Sequence, residues 1–137
     1  MPSFKPLREV MLFPFDAHQR PTLPVRLSVG DAFIERPALL DTGADVNVLP
    51  WSLGVALGLE WREEKATLRI KGVPSVAAAM PVLIRLTAGT HQPVTQAFAW
   101  CSSDAIPLVL GQTNFFMEFD VWFLRSRLEF SVVAKAR

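Results

Sequence analysis

The stretch PALLDTGADVNVLP (residues 37–50) decides how this chain is read. An apolar pair, Leu39 and Leu40, runs straight into Asp41, Thr42 and Gly43, and a second apolar run starts at Val46. Asp and Gly are ordinary turn residues, so a tight turn whose Asp caps the following helix is one account. The other is a strand that delivers a carboxylate into a cleft.

Working outward, TLPVRLSVG (22–30) alternates, with Leu23, Val25, Leu27 and Val29 on one face. It predicts a half-buried strand. Gly30 and Asp31 turn the chain, and AFIERPALL (32–40) returns as a second strand, with Pro24 and Pro37 confined to edges or bulges. After the central loop, PWSLGVALGLEW (50–61) predicts a helix, with Pro50 in the first turn and Gly58 as its stop. Gly54 weakens that helix. A long hairpin follows around residues 66–87, then a short strand at QAFAWC (96–101). IPLVLG (106–111) predicts a strand buried on both faces, and QTNFFMEF (112–119) a short helix. VWFL, the turn RSR and LEFSVV form a final hairpin. Residues 1–20 show no clear period and read as an N-terminal arm or edge segment, leaving 21–137 as one domain. The fold class is mostly β with one or two short helices.

Composition narrows the function. The chain has 137 residues, 14 Lys plus Arg against 13 Asp plus Glu, and its basic residues are scattered. That argues against a nucleic-acid partner or a charged membrane surface. One cysteine, Cys101, excludes a disulfide within the chain and argues against a thiolate metal site. His18 and His91 stand in no metal or nucleophile motif, and surface positions are expected for both. Cys101 reads as a buried structural residue. The N-terminus lacks the apolar core of a signal peptide. The longest apolar run, VAAAMPVLI (76–84), is too short for a membrane span. A soluble, cytoplasmic chain is expected, with no metal and no cofactor.

Peptide hydrolysis by carboxylates needs two of them sharing one proton. One acts as general base on a water, and the other protonates the carbonyl oxygen. The carrying loop must leave a strand, tie itself down with a hydroxyl, and let backbone and substrate approach closely at a glycine. LLDTGAD supplies Asp41, Thr42 and Gly43 for those roles.

ALLDTGADVNVLP resembles the active-site segment of the retroviral-type aspartic proteases, or retropepsins. The resemblance extends to the preceding strand pair and to PLVLGQTNFF (107–116). That second stretch is similar to the apolar-apolar-Gly segment that crosses behind the family's catalytic loop and leads into its helix. It spans roughly residues 22–124. It implies a closed β-fold with a flap hairpin, catalytic Asp41, and a Thr42 that grips the partner loop across a dimer. It also implies substrate contacts from Gly43, Ala44, Asp45 and flap residues Gly72 and Val73, and apolar pockets shaped by Val48, Val109 and Leu110. Plain core is the alternative for those last three. Two departures stand out. Gln112 follows Gly111 where the family has an Arg that pairs with the residue matching Asp45. Pro74, in the flap tip KGVPSV, offers no N–H.

The chain has a single Asp-Thr-Gly, so the second carboxylate must come from another chain. A C2 homodimer places Asp41 opposite Asp41. Phe115, Phe116, Phe119, Trp122, Phe123 and Phe130 are too many aromatics to hide easily, and they divide between a core under the last hairpin and a partner contact. The expectation is a homodimeric aspartic endopeptidase that binds polypeptide as an extended strand. The alternative is a dimeric peptide-binding or scaffolding β-domain with a degenerate site.

Overall fold

The computed structural model describes residues 10–72 and 76–136. Among these residues, ten strands, two short α-helices and two single 3-10 turns make up a mostly β fold. Seven strands form one sheet: β1 lies outside it, and the order is β2 (Thr22–Val29), β3 (Ala32–Leu40), β8 (Val109–Leu110), β4 (Val48–Leu49), β7 (Val94–Cys101), β6 (Val76–Ala88), β5 (Leu68–Lys71). A further pairing of β2 with β6 closes six of these into a barrel. β5 is left outside the ring, paired antiparallel with β6. A second sheet of three strands, β1 (Val10–Pro14), β10 (Glu129–Ala134) and β9 (Phe119–Leu124), has β10 at its centre. So part of the segment read as an arm is an edge strand.

The prolines sit where the ladder can spare a donor. Pro24 and Pro37 face each other across the β2–β3 pair. Antiparallel ladders alternate between positions that exchange hydrogen bonds and positions that do not. Two donor-less residues opposite one another fit the second kind. Pro81 lies mid-way along β6, between the stretch that pairs with β5 and the stretch that pairs with β2. Its missing N–H therefore falls in a gap between neighbours.

The main core fills the barrel with Leu23, Leu27, Leu49, Ile84, Leu86, Phe98, Trp100, Leu110, Phe115 and Phe130, all essentially inaccessible. Each contributes roughly 1.5–3 kcal/mol by burial. The tail aromatics divide: Phe115, Phe119 and Phe130 are core, whereas Trp122 and Phe123 are exposed. Along one row of the terminal sheet, Leu12, Ser131 and Trp122 are direct cross-strand neighbours. This row puts two large apolar side chains, each more than half exposed, on the same face.

Several sequence expectations need correction. IPLVLG is not a strand throughout; only Val109 and Leu110 are. Pro107 lacks a ladder donor, and after Leu110 the chain leaves the sheet to cross behind the central loop. Pro50 is the N-cap of α1 (Trp51–Ala56) rather than part of its first turn. The capping acceptor comes from far away, with Ser52 N–H donating to Asp104 Oδ1 at 2.9 Å. His91 is buried, not on the surface, with Nε2 3.1 Å from the Val132 carbonyl. Gly58 stops α1 at φ +76° as expected.

Gly54 has a reason that propensity misses. Trp100 stacks on Trp51 (centroids 5.0 Å apart, 9° between planes), and Trp61 meets both edge-on. The Trp100 indole donates to the Trp51 carbonyl at 3.2 Å. A Cβ at Gly54 would fall 2.0 Å from that indole nitrogen. Helix propensity alone makes Gly54→Ala stabilising by about 1 kcal/mol. The packing reverses the sign. Chemical denaturation of Gly54→Ala is expected to give a loss of about 1–3 kcal/mol, and a gain would refute the close approach.

Candidate active site

β3 delivers Asp41 to the end of the barrel, and the loop turns at once. Asp41 Oδ1 accepts from Gly43 N–H at 2.9 Å, and Ala44 N–H donates to the Asp41 carbonyl at 3.1 Å. The carboxylate thus closes its own turn and does not cap α1, whose N-terminus has no cap of its own. Asp41 is half-buried; Thr42 and Gly43 are exposed. The Thr42 hydroxyl has no hydrogen bond among the described residues, which leaves it available.

The loop hangs on residues 110–113. Asp41 N–H donates to the Leu110 carbonyl at 3.1 Å, Gln112 N–H to Ala44 O at 2.9 Å, and Thr113 N–H to Asp45 O at 2.8 Å. The Thr113 hydroxyl also donates to Asp45 O, at 2.7 Å. Between these bonds, Gly111 presses on the loop from behind. A Cβ there would lie 2.5 Å from the Val46 carbonyl oxygen and 2.9 Å from that of Ala44. Both are backbone atoms and cannot swing aside, so only glycine fits.

Gln112 takes over part of the work expected of an Arg. Its side-chain amide donates to the Thr42 carbonyl at 2.8 Å. It ties the loop by a neutral bond and leaves the exposed Asp45 carboxylate with no ion pair among the described residues.

A cleft of about 630 Å³ opens in front of the loop. Asp41, Gly43, Ala44 and Asp45 line one wall, with Val46, Val48, Ile106 and Val109 beneath. β5 supplies the other wall through Leu68 to Lys71. Of the residues singled out in the sequence, Asp41, Gly43, Ala44, Asp45, Val48 and Val109 therefore come together. Thr42 lies on the outer side of the loop. Leu110 points into the main core rather than the cleft. Gly72 is half-buried at the end of β5 and does not line the cleft. Val73 and Pro74 fall outside the described residues. Val48 and Val109 belong to a small second apolar cluster with Ala77, Ala79, Ala99 and Cys101. Burial pushes the Cys101 thiol up, away from its reactive form. No three His, Cys, Asp or Glu side chains gather as a metal site among the described residues.

Sequence reasoning placed the 66–87 hairpin from the alternation of TLRIKG but gave Leu68 to Lys71 no part in the cleft wall they form. It also missed Asn47, a polar residue inside an apolar run, which the structure places wholly inside behind the loop. Gly111→Ala is expected to cost about 1–3 kcal/mol, or more, because backbone must move. Thermal or denaturant unfolding checks it; a neutral effect would mean that the crossing is looser than described.

No protein-family model matches the sequence, and no curated protein is similar to it. Solved structures do match. A retropepsin-like aspartic protease from Rickettsia conorii superposes with a TM-score of 0.68 at 14% identity, covering 96% of this chain and 97% of that one. The EIAV protease, in complex with an inhibitor, superposes with a TM-score of 0.54 at 23% identity, covering 72% of this chain and 88% of that one. The fold of this chain is the retropepsin-like aspartic protease fold.

Proposed function

We propose that this chain is one half of a homodimeric aspartic endopeptidase. The observation that carries the reading is the placement of Asp41. It is the one carboxylate of an Asp-Thr-Gly turn, held at the mouth of a cleft walled by a flap hairpin. The fold similarity supports the same reading.

One carboxylate cannot perform the chemistry alone. In a C2 dimer the two Asp41 side chains face each other and share a proton, since two like charges at close range resist joint ionisation. The ionised Asp41 takes a proton from a water, which attacks the peptide carbonyl carbon. The protonated Asp41 gives its proton to the carbonyl oxygen. The tetrahedral diol then collapses. The Asp41 that took the water's proton gives it to the amide nitrogen, the other Asp41 takes back a hydroxyl proton, and the C–N bond breaks, restoring the shared-proton pair. Thr42, whose hydroxyl has no hydrogen bond among the described residues, grips the partner loop. Substrate lies extended against β5, whose outer edge is unpaired among the described residues. Val48, Ile70, Ile106 and Val109 favour apolar side chains beside the scissile bond. The mechanism asks for no metal and no cofactor.

An unfolded protein substrate tests this at several pH values and enzyme concentrations. Wild type is expected to cut best in mild acid, with specific activity rising with concentration. Asp41→Asn is expected to lose at least about 10³-fold in kcat. Cleavage by neither protein, with saturable peptide binding by both, would instead favour the dimeric binding domain, a reading that Gln112 supports, standing where the family has an Arg.

The exposed row of Leu12 and Trp122 is our candidate for part of the dimer contact. An isologous interface repeats each side chain, so one substitution is felt twice. Trp122→Glu is expected to raise the dissociation constant roughly 10²–10³-fold, at about 2 kcal/mol or less per copy. Sedimentation and the concentration dependence of activity read this out. Unchanged dimerisation would remove this face from the interface.

A further inference from the structure

We propose that Asn47 is a positioning residue: its buried side-chain amide clamps Gly111 and so holds the Asp41 loop in its working geometry. The inference rests on the endopeptidase reading.

Asn47 is fully inaccessible. Its Oδ1 accepts from Gly111 N–H at 2.9 Å. Its Nδ2 donates to Gln96 Oε1 at 2.7 Å and to the Ala97 carbonyl at 3.3 Å. Its backbone N–H donates to Asn114 Oδ1 at 2.8 Å, and its carbonyl accepts from Ala99 N–H at 2.8 Å. One residue thereby joins the central loop, β7, the crossing at residue 111 and the entrance to α2 (Phe115–Glu118).

The orientation of the amide is forced. Gly111 N–H can only donate, so Asn47 must turn its oxygen there and its NH₂ toward the two acceptors. Gln96 must then present its own oxygen, and its Nε2 is left buried with no partner among the described residues. An unsatisfied buried donor is unfavourable, and apolar residues at 47 and 96 would avoid it. The arrangement keeps that penalty and gains a fixed Gly111. Gly111 is where leverage on the carboxylate is greatest. Leu110 before it holds Asp41 N–H, and Gln112 after it holds Thr42 and Ala44.

Asn47→Asp tests this as a switch. A protonated aspartic acid keeps one acceptor for Gly111 and one O–H donor for Gln96. The ionised form presents only acceptors, which repel the Ala97 carbonyl and force Gln96 to turn its amide, so the network around the clamp must rearrange. Gln96 from β7, Gly111 from the crossing and Asn114 from the α2 cap face this position, and all are neutral; Asp41 and Asp45, on the same loop, lie on the cleft side. Burial and the facing acceptors favour the protonated form, so ionisation comes above the ordinary aspartate range. The expected result is a variant-to-wild-type kcat ratio near one in acid. It should fall about tenfold or more as pH rises, with KM little changed and the protein folded by circular dichroism throughout. A flat ratio in a folded variant overturns the inference, as does a fall tracking only the unfolded fraction. If Asn47→Asp is unfolded at every pH, Gln96→Met decides. It removes the acceptor and the orphaned donor together at similar volume. A folded Gln96→Met with lowered kcat supports the clamp, and one with wild-type kcat overturns it. Inactive wild type would overturn the endopeptidase reading itself, a separate and recognisable failure.

Discussion

At Gly111 two stretches of backbone lie closer than any side chain permits, and the rest of the architecture follows from that contact. With a hydrogen atom in place of a Cβ, the chain passes directly beneath the carbonyls of Ala44 and Val46. Only at this range can Leu110, Gln112 and Thr113 each bond the loop. Each bond is worth about 1 kcal/mol net, but they stand or fall together. The steric condition is the more demanding one, because no side-chain movement relieves it. The same contact sets β8 between β3 and β4 and so completes the barrel.

Local pattern made much of the barrel legible. The alternation in 22–29 and 32–40 reports strands with one wet face, and these formed as read. Gly58 signalled a helix end because a left-handed residue is needed there. The Asp-Thr-Gly turn was legible because its residue types are demanding in themselves. The illegible parts have partners far away in sequence. Asn47 meets groups 49 and 67 residues distant, and no window on the chain reveals them. His91 is likewise buried by a contact with Val132 on the terminal sheet. Gly54 looked like a helix defect because Trp100, which needs the space, belongs to β7.

Gln112 shows how a departure from a pattern is absorbed. A side chain too short and uncharged for an ion pair still reaches a carbonyl of the same loop. The loop keeps its tether, but the charge on Asp45 is no longer neutralised from within. The cleft therefore carries, on one wall, an Asp45 carboxylate with no ion pair among the described residues, while β5 contributes Arg69 and Lys71 on the other. Arg69 turns toward carbonyls of its own segment, at Ala66 and Leu68. The two walls of the cleft are thus electrostatically unlike.

The hang of Asp41 on Leu110 also sets an order of events. Hairpins such as β2–β3 close between near neighbours and form quickly, whereas the parallel β3–β8 pairing joins distant segments and forms late. A chain synthesised as far as β7 already contains Asp41 and β5, yet it lacks the strand that fixes the carboxylate. Its loop has no Leu110 to bond and no Gly111 behind it. The geometry of the cleft is therefore among the last features that the growing chain acquires, arriving with the strand that completes the barrel.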